Sequence, residues 1–370
     1  MHWIPAILIL PYFCMLLWFY RSLLKIKPFI VTSEPVTFVS VVIACKNEQL
    51  NLPVLLNNIA NQNYPGELFE VIIVDDNSID RTFEIASGFS GLKNRIVLSN
   101  GGYGKKLAIL TGVKVASGRL IITTDGDCRM GKDWIRTIAG FYEKHKPDMI
   151  ICPVQLDQQV GFFGRFQELE FLSLQGITAA SVLSGEASMC NGANLSFTKE
   201  AYLRHSDNLH NEISSGDDIF LLHSLKREMN SKILWLESPN SLVTAASTTT
   251  TGYFLRQRSR WISKWKVYSD RFTIFLGIVT FVTIIIQIAV YLVLLTHPLF
   301  IDVFLVIIFL KMFPDFLILL NTTRRYGRNK LMNWFFPSQI VYPFYALFVI
   351  FCSLIYRNSW NTNFPSQKEI

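Results

Sequence analysis

Four long apolar runs dominate the pattern of hydrophobic and polar positions. Each is close to the roughly 20 residues that a helix needs to cross a bilayer. The runs cover residues 3–20, 272–296, 299–320 and 331–356. They predict an N-terminal transmembrane anchor within 1–24, three further transmembrane segments within 272–356 and a short tail at 357–370. Lys311 and Asp315 in the third run are four residues apart, which indicates either a neutralising ion pair or a functional acceptor path.

Between the first two runs, residues 36–270 alternate short apolar stretches with amphipathic ones. Strand patterns occur at 36–44, 71–74, 95–98, 120–123 and 149–154. Helical patterns follow the turn at 45–48 up to about residue 62, and recur near 80–88, 105–116 and 132–144. Strands that alternate with helices of this length predict an α/β fold with a largely parallel sheet. Such sheets bind ligands at the carboxyl ends of their strands, where the polar turns fall.

Lys and Arg residues flank the apolar runs unevenly. They follow the first run, precede the second and separate the third from the fourth, whereas the link at 296–298 carries none. The positive-inside rule therefore predicts four spans, an outside N-terminus and a cytoplasmic central domain. The first run lacks a basic n-region and a small-residue cleavage site, which favours a retained anchor over a removed signal peptide.

The amino-acid composition limits which kinds of binding partner the protein is expected to have. Half of the 370 residues are hydrophobic, and the formal net charge is +7. Because the basic residues cluster beside the spans, membrane lipid headgroups are favoured as their partner over nucleic acid. The six cysteines are scattered without a CxxC pair, which argues against a disulfide framework or a zinc site and fits a reducing cytosol.

Three acidic pairs stand at strand ends or at the start of a helical pattern. They are Asp75 with Asp76, Asp125 with Asp127, and Asp217 with Asp218. Each has a structural interpretation, since acidic and small polar residues cap helix N-termini and interact favourably with the helix dipole. The functional alternatives are a nucleotide contact for the first pair, a divalent ion bound with a diphosphate for the second, and a general base for the third.

Two further segments also allow two interpretations. Gly104 and Lys105 precede a helix as in a phosphate loop, but the Walker spacing is missing. Gln257, Arg260 and Trp261 fall on one helix face just before a span. Anchoring at the membrane interface is the default interpretation of such a basic and aromatic cluster.

Seven motifs, in order, resemble the membrane-bound branch of glycosyltransferase family 2, which includes ceramide glucosyltransferases and the cellulose, chitin, hyaluronan and poly-N-acetylglucosamine synthases. They are Val-Ile-Ala-Cys-Lys-Asn-Glu (42–48), Val-Asp-Asp-Asn-Ser (74–78), Gly-Lys-Lys-Leu-Ala (104–108), Asp-Gly-Asp (125–127), Gly-Ala-Asn (192–194), Gly-Asp-Asp (216–218) and Gln-Arg-Ser-Arg-Trp (257–261). The resemblance covers about residues 36–270 and implies a Rossmann-like GT-A nucleotide-diphospho-sugar transferase domain there, with flanking transmembrane helices.

The resemblance also implies a role for each matched residue. It assigns nucleotide contacts to Asp75 or Asp76 and to Lys105. It assigns metal and diphosphate binding, with Mg²⁺ or Mn²⁺, to the DxD residues Asp125 and Asp127. It assigns the catalytic base to Asp218 and the QxxRW motif, which closes over diphosphate and acceptor, to Gln257, Arg260 and Trp261. It places on the acceptor side Asn191, Gly192, Ala193, Asn194 and Asp217. Asp217 stands where the family commonly has Glu.

The implied activity is an inverting transfer from a nucleotide-sugar, usually UDP-linked, to a lipid or lipid-linked hydroxyl at the cytoplasmic face of a bacterial inner membrane. Two alternatives remain: processive synthesis of a β-linked polysaccharide, and a non-catalytic membrane scaffold with a transferase-like fold. The few C-terminal spans favour single transfer over polymer synthesis, and the intact carboxylates favour an enzyme over a scaffold.

Overall fold

The computed structural model describes residues 3–102, 104–210 and 216–355. Within these ranges it contains the strands β1 Val39–Cys45, β2 Phe69–Asp75, β3 Arg95–Ser99, β4 Leu120–Asp125, β5 Arg129–Met130, β6 Met149–Ile151, β7 Val154–Leu156, β8 Leu195–Thr198, β9 Ile233–Trp235 and β10 Val243–Ala245. The α-helices in the same ranges are α1 Ile4–Leu23, α2 Leu52–Ala60, α3 Thr82–Gly88, α4 Lys105–Val115, α5 Trp134–His145, α6 Gly161–Leu183, α7 Lys199–His205, α8 Asp217–Lys226, α9 Thr251–Ser263, α10 Arg271–Thr296, α11 Ile301–Arg325 and α12 Phe335–Ile355. The predicted tail at 357–370 lies outside the described residues.

Internal contacts divide the described chain into two compact units. The sheet unit contains residues 27–157 and 189–246, and the helical unit contains residues 3–26, 158–188 and 247–355. Helices α6 and α9 group with the apolar helices because α6 packs on α11 and α9 packs on α12. The transferase domain predicted over 36–270 stays a prediction. The QxxRW motif therefore belongs to the helical unit.

The sheet unit is built on a seven-stranded sheet of order β3-β2-β1-β4-β8-β6-β9. β1, β2, β3 and β4 run parallel, β9 runs parallel to β6, and β8 is antiparallel to both of its neighbours. All seven residues of β1 and of β2 are buried, as expected of strands in the interior of a parallel sheet. The predicted α/β class and largely parallel sheet are confirmed.

Strand register brings the acidic turns to one edge of the sheet. The last residues of β1 pair with Asp75 at the end of β2 and with Asp125 at the end of β4. Because neighbouring strands are about 4.8 Å apart, the Cα atoms of Asp75 and Asp125 stand roughly 10 Å from each other on either side of β1. This is the carboxyl edge where the polar turns were expected to meet.

The strand predicted at 149–154 is two strands in different sheets. β6 joins the seven-stranded sheet, whereas β7 pairs with β10 in a three-stranded sheet of order β5-β10-β7. The interruption falls at Cys152 and Pro153. Proline lacks the N–H that a ladder needs and restricts the residue before it, so a continuous strand is disfavoured there.

The helical unit contains the predicted spans. Among the described residues, four helices are long and apolar enough to cross a membrane: Ile4–Leu23, Arg271–Thr296, Pro298–Arg325 and Asn329–Ile355. Each is longer than the run predicted from sequence. The last of them includes α12, which continues through Pro343 without a break. The prediction of four apolar spanning candidates is confirmed.

A polar junction lies among these helices. The Lys311 ammonium is 2.8 Å from Asp315 Oδ2, which confirms the predicted ion pair. The Tyr12 hydroxyl donates to Asp315 Oδ1 at 2.6 Å, and the Gln339 amide donates to Oδ2 at 3.2 Å. Lys311 also donates to Gln339 Oε1. The pair thus joins α1, α11 and α12 by hydrogen bonds that replace those lost with water.

Candidate active site

Asp75 ends β2 and keeps one carboxylate oxygen available. Its Oδ2 accepts the N–H of Ser78 at 3.1 Å, which shapes the turn after the strand. Its Oδ1 is buried and has no hydrogen-bond partner among the described residues. Only 5% of Asp75 is exposed, so an acceptor left in this way is costly unless a ligand supplies the donor. This oxygen is therefore able to accept one further hydrogen bond.

Asp76, by contrast, is engaged within the fold. Its Oδ1 accepts the side-chain N–H of Asn100 at 2.7 Å and the backbone N–H of Gly104 at 2.8 Å. Gly104 has a φ of 105°, a conformation open mainly to glycine. Asp76 therefore fixes the backbone that starts α4 and presents Lys105. The sequence did not distinguish the roles of Asp75 and Asp76, whereas their hydrogen bonds in the structure do.

Lys105 lies at the centre of an acidic cluster. Its ammonium forms an ion pair with Asp125 Oδ1. Burial opposes its charge, but the carboxylates of Asp125, Asp217 and Asp218 together raise the pKa of Lys105 well above its usual range. About a third of each partner of the ion pair remains exposed. Lys105 is thus a fixed cation at an accessible site, suited to the negative charge of a diphosphate.

Asp218 is held by backbone donors beside this lysine. The N–H of Gly192 donates to Asp218 Oδ2 at 3.1 Å, and the N–H of Ile219 donates to Oδ1 at 2.8 Å. A Cβ at Gly192 would lie 3.6 Å from both Asp218 Oδ2 and Lys105 Nζ. The Thr123 hydroxyl of β4 donates to the carbonyl of Gly192 at 3.1 Å and so ties this turn to the sheet.

The turn from Asn191 to Asn194 is held by hydrogen bonds of its own asparagine side chains. Asn194 is fully buried; it donates to the carbonyls of Pro153 and Ser241 at 2.7 Å each, and its Oδ1 accepts from the Trp134 indole at 2.9 Å. Asn191 Oδ1 accepts the N–H of Ala193 at 3.0 Å. Both N–H groups of the Asn194 amide are therefore used within the fold, where the side chain holds the turn that carries Gly192. The acceptor contact predicted for Asn194 stays a prediction.

Asp125 and Asp127 fit a divalent cation that also binds phosphate. Burial, followed by the charge of Asp125, raises the pKa of Asp127 to about 6, so the pair lacks a full set of counter-charges. In residues 3–102, 104–210 and 216–355, no group of three or more His, Cys, Asp or Glu could hold a metal ion. Two carboxylates completed by phosphate oxygens and water are a common arrangement for Mg²⁺. The donor set thus suits the predicted Mg²⁺ or Mn²⁺ together with a diphosphate.

Glu48 is a site residue that the sequence named only as part of a motif. A Cβ at Gly126 would come within 2.8 Å of Glu48 Cγ, so the glycine between the two aspartates makes room for this side chain. Burial, with smaller contributions from Asp127 and Asp125, raises the pKa of Glu48 to about 7. Its place as the last residue of the 42–48 motif was the sequence signal that could have identified Glu48 as a site residue.

The QxxRW residues lie together on α9 in the helical unit. Gln257, Arg260 and Trp261 are each partly exposed, whereas the intervening Arg258 is buried. Their predicted contacts with the diphosphate and the acceptor remain predictions.

Residues 40–205 match the profile of the family described as Glycosyl transferase family 2. Over this segment the chain is similar to glycosyl transferase family 2 domains. It is 37% identical over 109 residues to the glycosyltransferase AglE of Haloferax volcanii, which is 28% of this chain and 36% of that protein. It is 42% identical over 136 residues to an undecaprenyl-phosphate 4-deoxy-4-formamido-L-arabinose transferase of Edwardsiella ictaluri, 36% of this chain and 41% of that protein. It is 31% identical over 115 residues to a beta-monoglucosyldiacylglycerol synthase of Nostoc sp., 30% of this chain and 24% of that protein.

The matched segments span 24 to 41% of these three relatives' own lengths. Among solved structures, the mannosyltransferase PcManGT of Pyrobaculum calidifontis, determined with GDP-Man and Mn²⁺, resembles this chain with a TM-score of 0.53 and 15% identity. The likeness covers 92% of this chain and 98% of that one. Together with the family 2 domain, it confirms the predicted GT-A-like fold.

Proposed function

We propose that the protein is an inverting membrane glycosyltransferase that moves a sugar from a nucleotide-sugar to a hydroxyl of a lipid or lipid-linked acceptor. The observation that carries this proposal is the cluster in which Lys105 stands among Asp125, Asp217 and Asp218. It combines a cation for a diphosphate with a carboxylate, Asp218, whose orientation is set by backbone donors. A general base and an anion site are the two groups that glycosyl transfer from a nucleotide-sugar requires.

In the proposed reaction, an oxygen of Asp218 takes the proton of the acceptor hydroxyl. The hydroxyl oxygen attacks the anomeric carbon while the bond from that carbon to the phosphate oxygen breaks. Lys105 and Arg260 bind the departing diphosphate, and Asp75 accepts a hydrogen bond from the nucleoside through Oδ1. Because a single displacement inverts the anomeric centre, an α-linked donor gives a β-glycoside.

Asp125 and Asp127 would hold the divalent ion of this site. When bound, Mg²⁺ or Mn²⁺ neutralises part of the charge on the leaving diphosphate. The chemistry of the two carboxylates supports this assignment, and the related mannosyltransferase structure was determined with GDP-Man and Mn²⁺.

A lipid acceptor is supported by two observations. The chain joins the transferase domain to four helices that could cross a membrane. One of its relatives is named an undecaprenyl-phosphate 4-deoxy-4-formamido-L-arabinose transferase, and another is named a beta-monoglucosyldiacylglycerol synthase. The Lys and Arg distribution supports placing the sheet unit at the cytoplasmic face of a bacterial inner membrane.

The proposal is tested by incubating membranes that contain the protein with a panel of labelled nucleotide-sugars, followed by separation of lipid and polymer products. We expect label in a lipid product, and its loss in EDTA. Label only in a long polymer would favour the processive synthase, and transfer that persists fully in EDTA would contradict the metal assignment. Absence of transfer from every donor would contradict the function itself.

The base is tested in the same assay with Asp218→Asn. This change keeps the shape of the side chain but removes its basicity, so kcat should fall by about 10² to 10⁴ while donor binding is retained. Asp207→Asn, at an exposed position of the same unit, is the matched control and should behave like the parent. Parental kcat in Asp218→Asn would remove Asp218 from the mechanism.

A further inference from the structure

Arg258 is a buried arginine within the segment from Gln257 to Trp261. Its Nη2 is 2.7 Å from Glu170 Oε2, and its Nε lies 3.0 and 3.1 Å from the two oxygens of the same carboxylate. The side chains of Arg258 and Glu170 are only 4% and 8% exposed. α9 is therefore joined to α6 by a buried, bidentate ion pair, whose planar geometry leaves the guanidinium little freedom to rotate.

The same guanidinium contacts two of the three QxxRW residues. Its central carbon lies 4.3 Å from the centroid of the Trp261 ring and 4.6 Å from that of Phe254, so the cation is stacked between two aromatic rings. Its Nη1 donates to Gln257 Oε1. The carbonyl end of the Gln257 amide is thereby held towards Arg258, which directs its NH₂ group away from the ion pair.

Glu170 is itself fixed by a further contact. The Tyr345 hydroxyl of α12 donates to Glu170 Oε1 at 3.2 Å, and the Tyr345 ring stacks on Phe254 with centroids 5.3 Å apart. The chain of contacts runs from α12 through Glu170 and Arg258 to Trp261. An arginine that served only to anchor α9 at a membrane surface would be exposed to headgroups, and this one is enclosed.

We propose that the Arg258–Glu170 pair is a positioning device that holds Gln257 and Trp261 in the orientations needed for sugar transfer. The inference rests on the proposed function and extends it to two residues outside the family motif. Arg258 acts through its neighbours, because its side chain is buried and its charge is balanced by Glu170.

The decisive variant removes both partners at once, as Glu170→Gln combined with Arg258→Met. Loss of a whole buried pair leaves no isolated charge, so the thermal midpoint should stay near that of the parent. Since Trp261 and Gln257 lose their support, kcat should fall about 100-fold, the cost of misplacing reacting groups by 1 Å. Parental kcat in a stable double variant would overturn the proposal.

Arg258→Lys gives a second result if the double variant fails to enter the membrane. Lysine keeps the charge but cannot stack or bind both oxygens as a planar fork, so kcat should again fall. Arg256→Met, an exposed arginine on the same helix, is the matched control and should leave kcat unchanged. Parental kcat in Arg258→Lys would also overturn the proposal.

A thermodynamic cycle distinguishes positioning from general support of the helix. In a Trp261→Phe background, Arg258→Lys should cost less activity than it costs in the parent, because both changes disturb the same stack. Independent losses that multiply would indicate a structural role only and overturn the proposal.

Hydrogen exchange gives a readout that does not need activity. Exchange in residues 254–263 should accelerate in Arg258→Lys and remain unchanged in Arg256→Met, and unchanged exchange in Arg258→Lys would contradict positioning. If the parent protein transferred no sugar, the proposed function would be contradicted. The hydrogen-exchange rates would still test whether Arg258 holds α9 in place. The two failures are therefore distinguishable.

Discussion

Asp75 and Asp76 are neighbours in the chain with opposite hydrogen-bonding states. Asp75 has a buried oxygen without a partner among the described residues, whereas Asp76 accepts two hydrogen bonds that shape the start of α4. At the scale of single residues, this difference decides which acid is available to a nucleotide and which one supports Lys105.

Substitution at each position should separate the two roles. Asp75→Asn keeps an oxygen for the Ser78 N–H, so the thermal midpoint should change little while donor affinity falls about tenfold, the worth of one hydrogen bond to a charged group. Asp76→Ala leaves the N–H groups of Asn100 and Gly104 without their acceptor and should cost about 1–3 kcal/mol in the free energy of unfolding. Donor titration and thermal unfolding measure the two effects, and the reverse pattern would contradict the assignment.

Glu48 should make the stability of the protein depend on pH. Its pKa is raised to about 7 in the folded protein from an unfolded value near 4.5, so the folded state binds more protons between these values. Stability should therefore fall as pH rises from about 4.5 to 7. Glu48→Gln, which stays neutral, should show a smaller decrease in thermal midpoint over this window. Equal pH profiles for the parent and Glu48→Gln would contradict the raised pKa.

At the scale of elements, the close approach of α6 and α11 depends on one glycine. A Cβ at Gly176 would come within 2.5 Å of Thr322 Oγ1 and 2.9 Å of Ile318 Cγ2. No rearrangement of Thr322 alone relieves both contacts, so the position tolerates a side chain only if the helices separate.

Gly176→Leu should therefore destabilise the protein by about 1–3 kcal/mol, the usual cost of overpacking. The matched control is Gly277→Leu on α10, where an added Cβ would have no neighbour within 4 Å. Thermal unfolding of both variants in the same detergent provides the comparison. Equal midpoints would show that α6 and α11 are not closely packed at this point.

An element could be predicted when its residues show a clear pattern of hydrophobic and polar positions. β1, β2 and β4 each contain a short apolar run that ends at a polar turn. The four apolar spans are longer than an ordinary core helix. α6 was missed because 14 of its 23 residues are buried, including Gln167, Glu168 and Gln175, so no single face carries a hydrophobic stripe. The pairing of β7 with β10 is a long-range contact, and local sequence contains no signal for it.

The candidate site could be predicted by residue type but not by orientation. The order of the motifs was enough to name Lys105, Asp125 and Asp218, which the fold does bring together. The same motifs named Asn194 without indicating that its side chain is fully buried, because a sequence match does not record which way a side chain faces. Arg258 and Glu170 lie 88 residues apart, and only the folded chain shows that they are partners.

At the scale of the whole molecule, topology is the property that the Lys and Arg distribution predicts. A reporter fused after Lys27 or inserted at Arg328 should indicate the cytoplasm, because both positions lie in basic flanks. A reporter within the link at 296–298, which has no Lys or Arg, should indicate the opposite side. A cytoplasmic signal from that link would contradict the four-span arrangement.

The hydrogen bond from Tyr12 to Asp315 joins residues 303 positions apart and has a consequence for biosynthesis. The ribosome delivers the Tyr12 helix long before the helix that carries Asp315, and the entire sheet unit is translated in the interval. Tyr12 therefore lacks this partner until almost the whole chain has been made. Translation of the sheet unit is thus complete before the contact between the first helix and Asp315 can form.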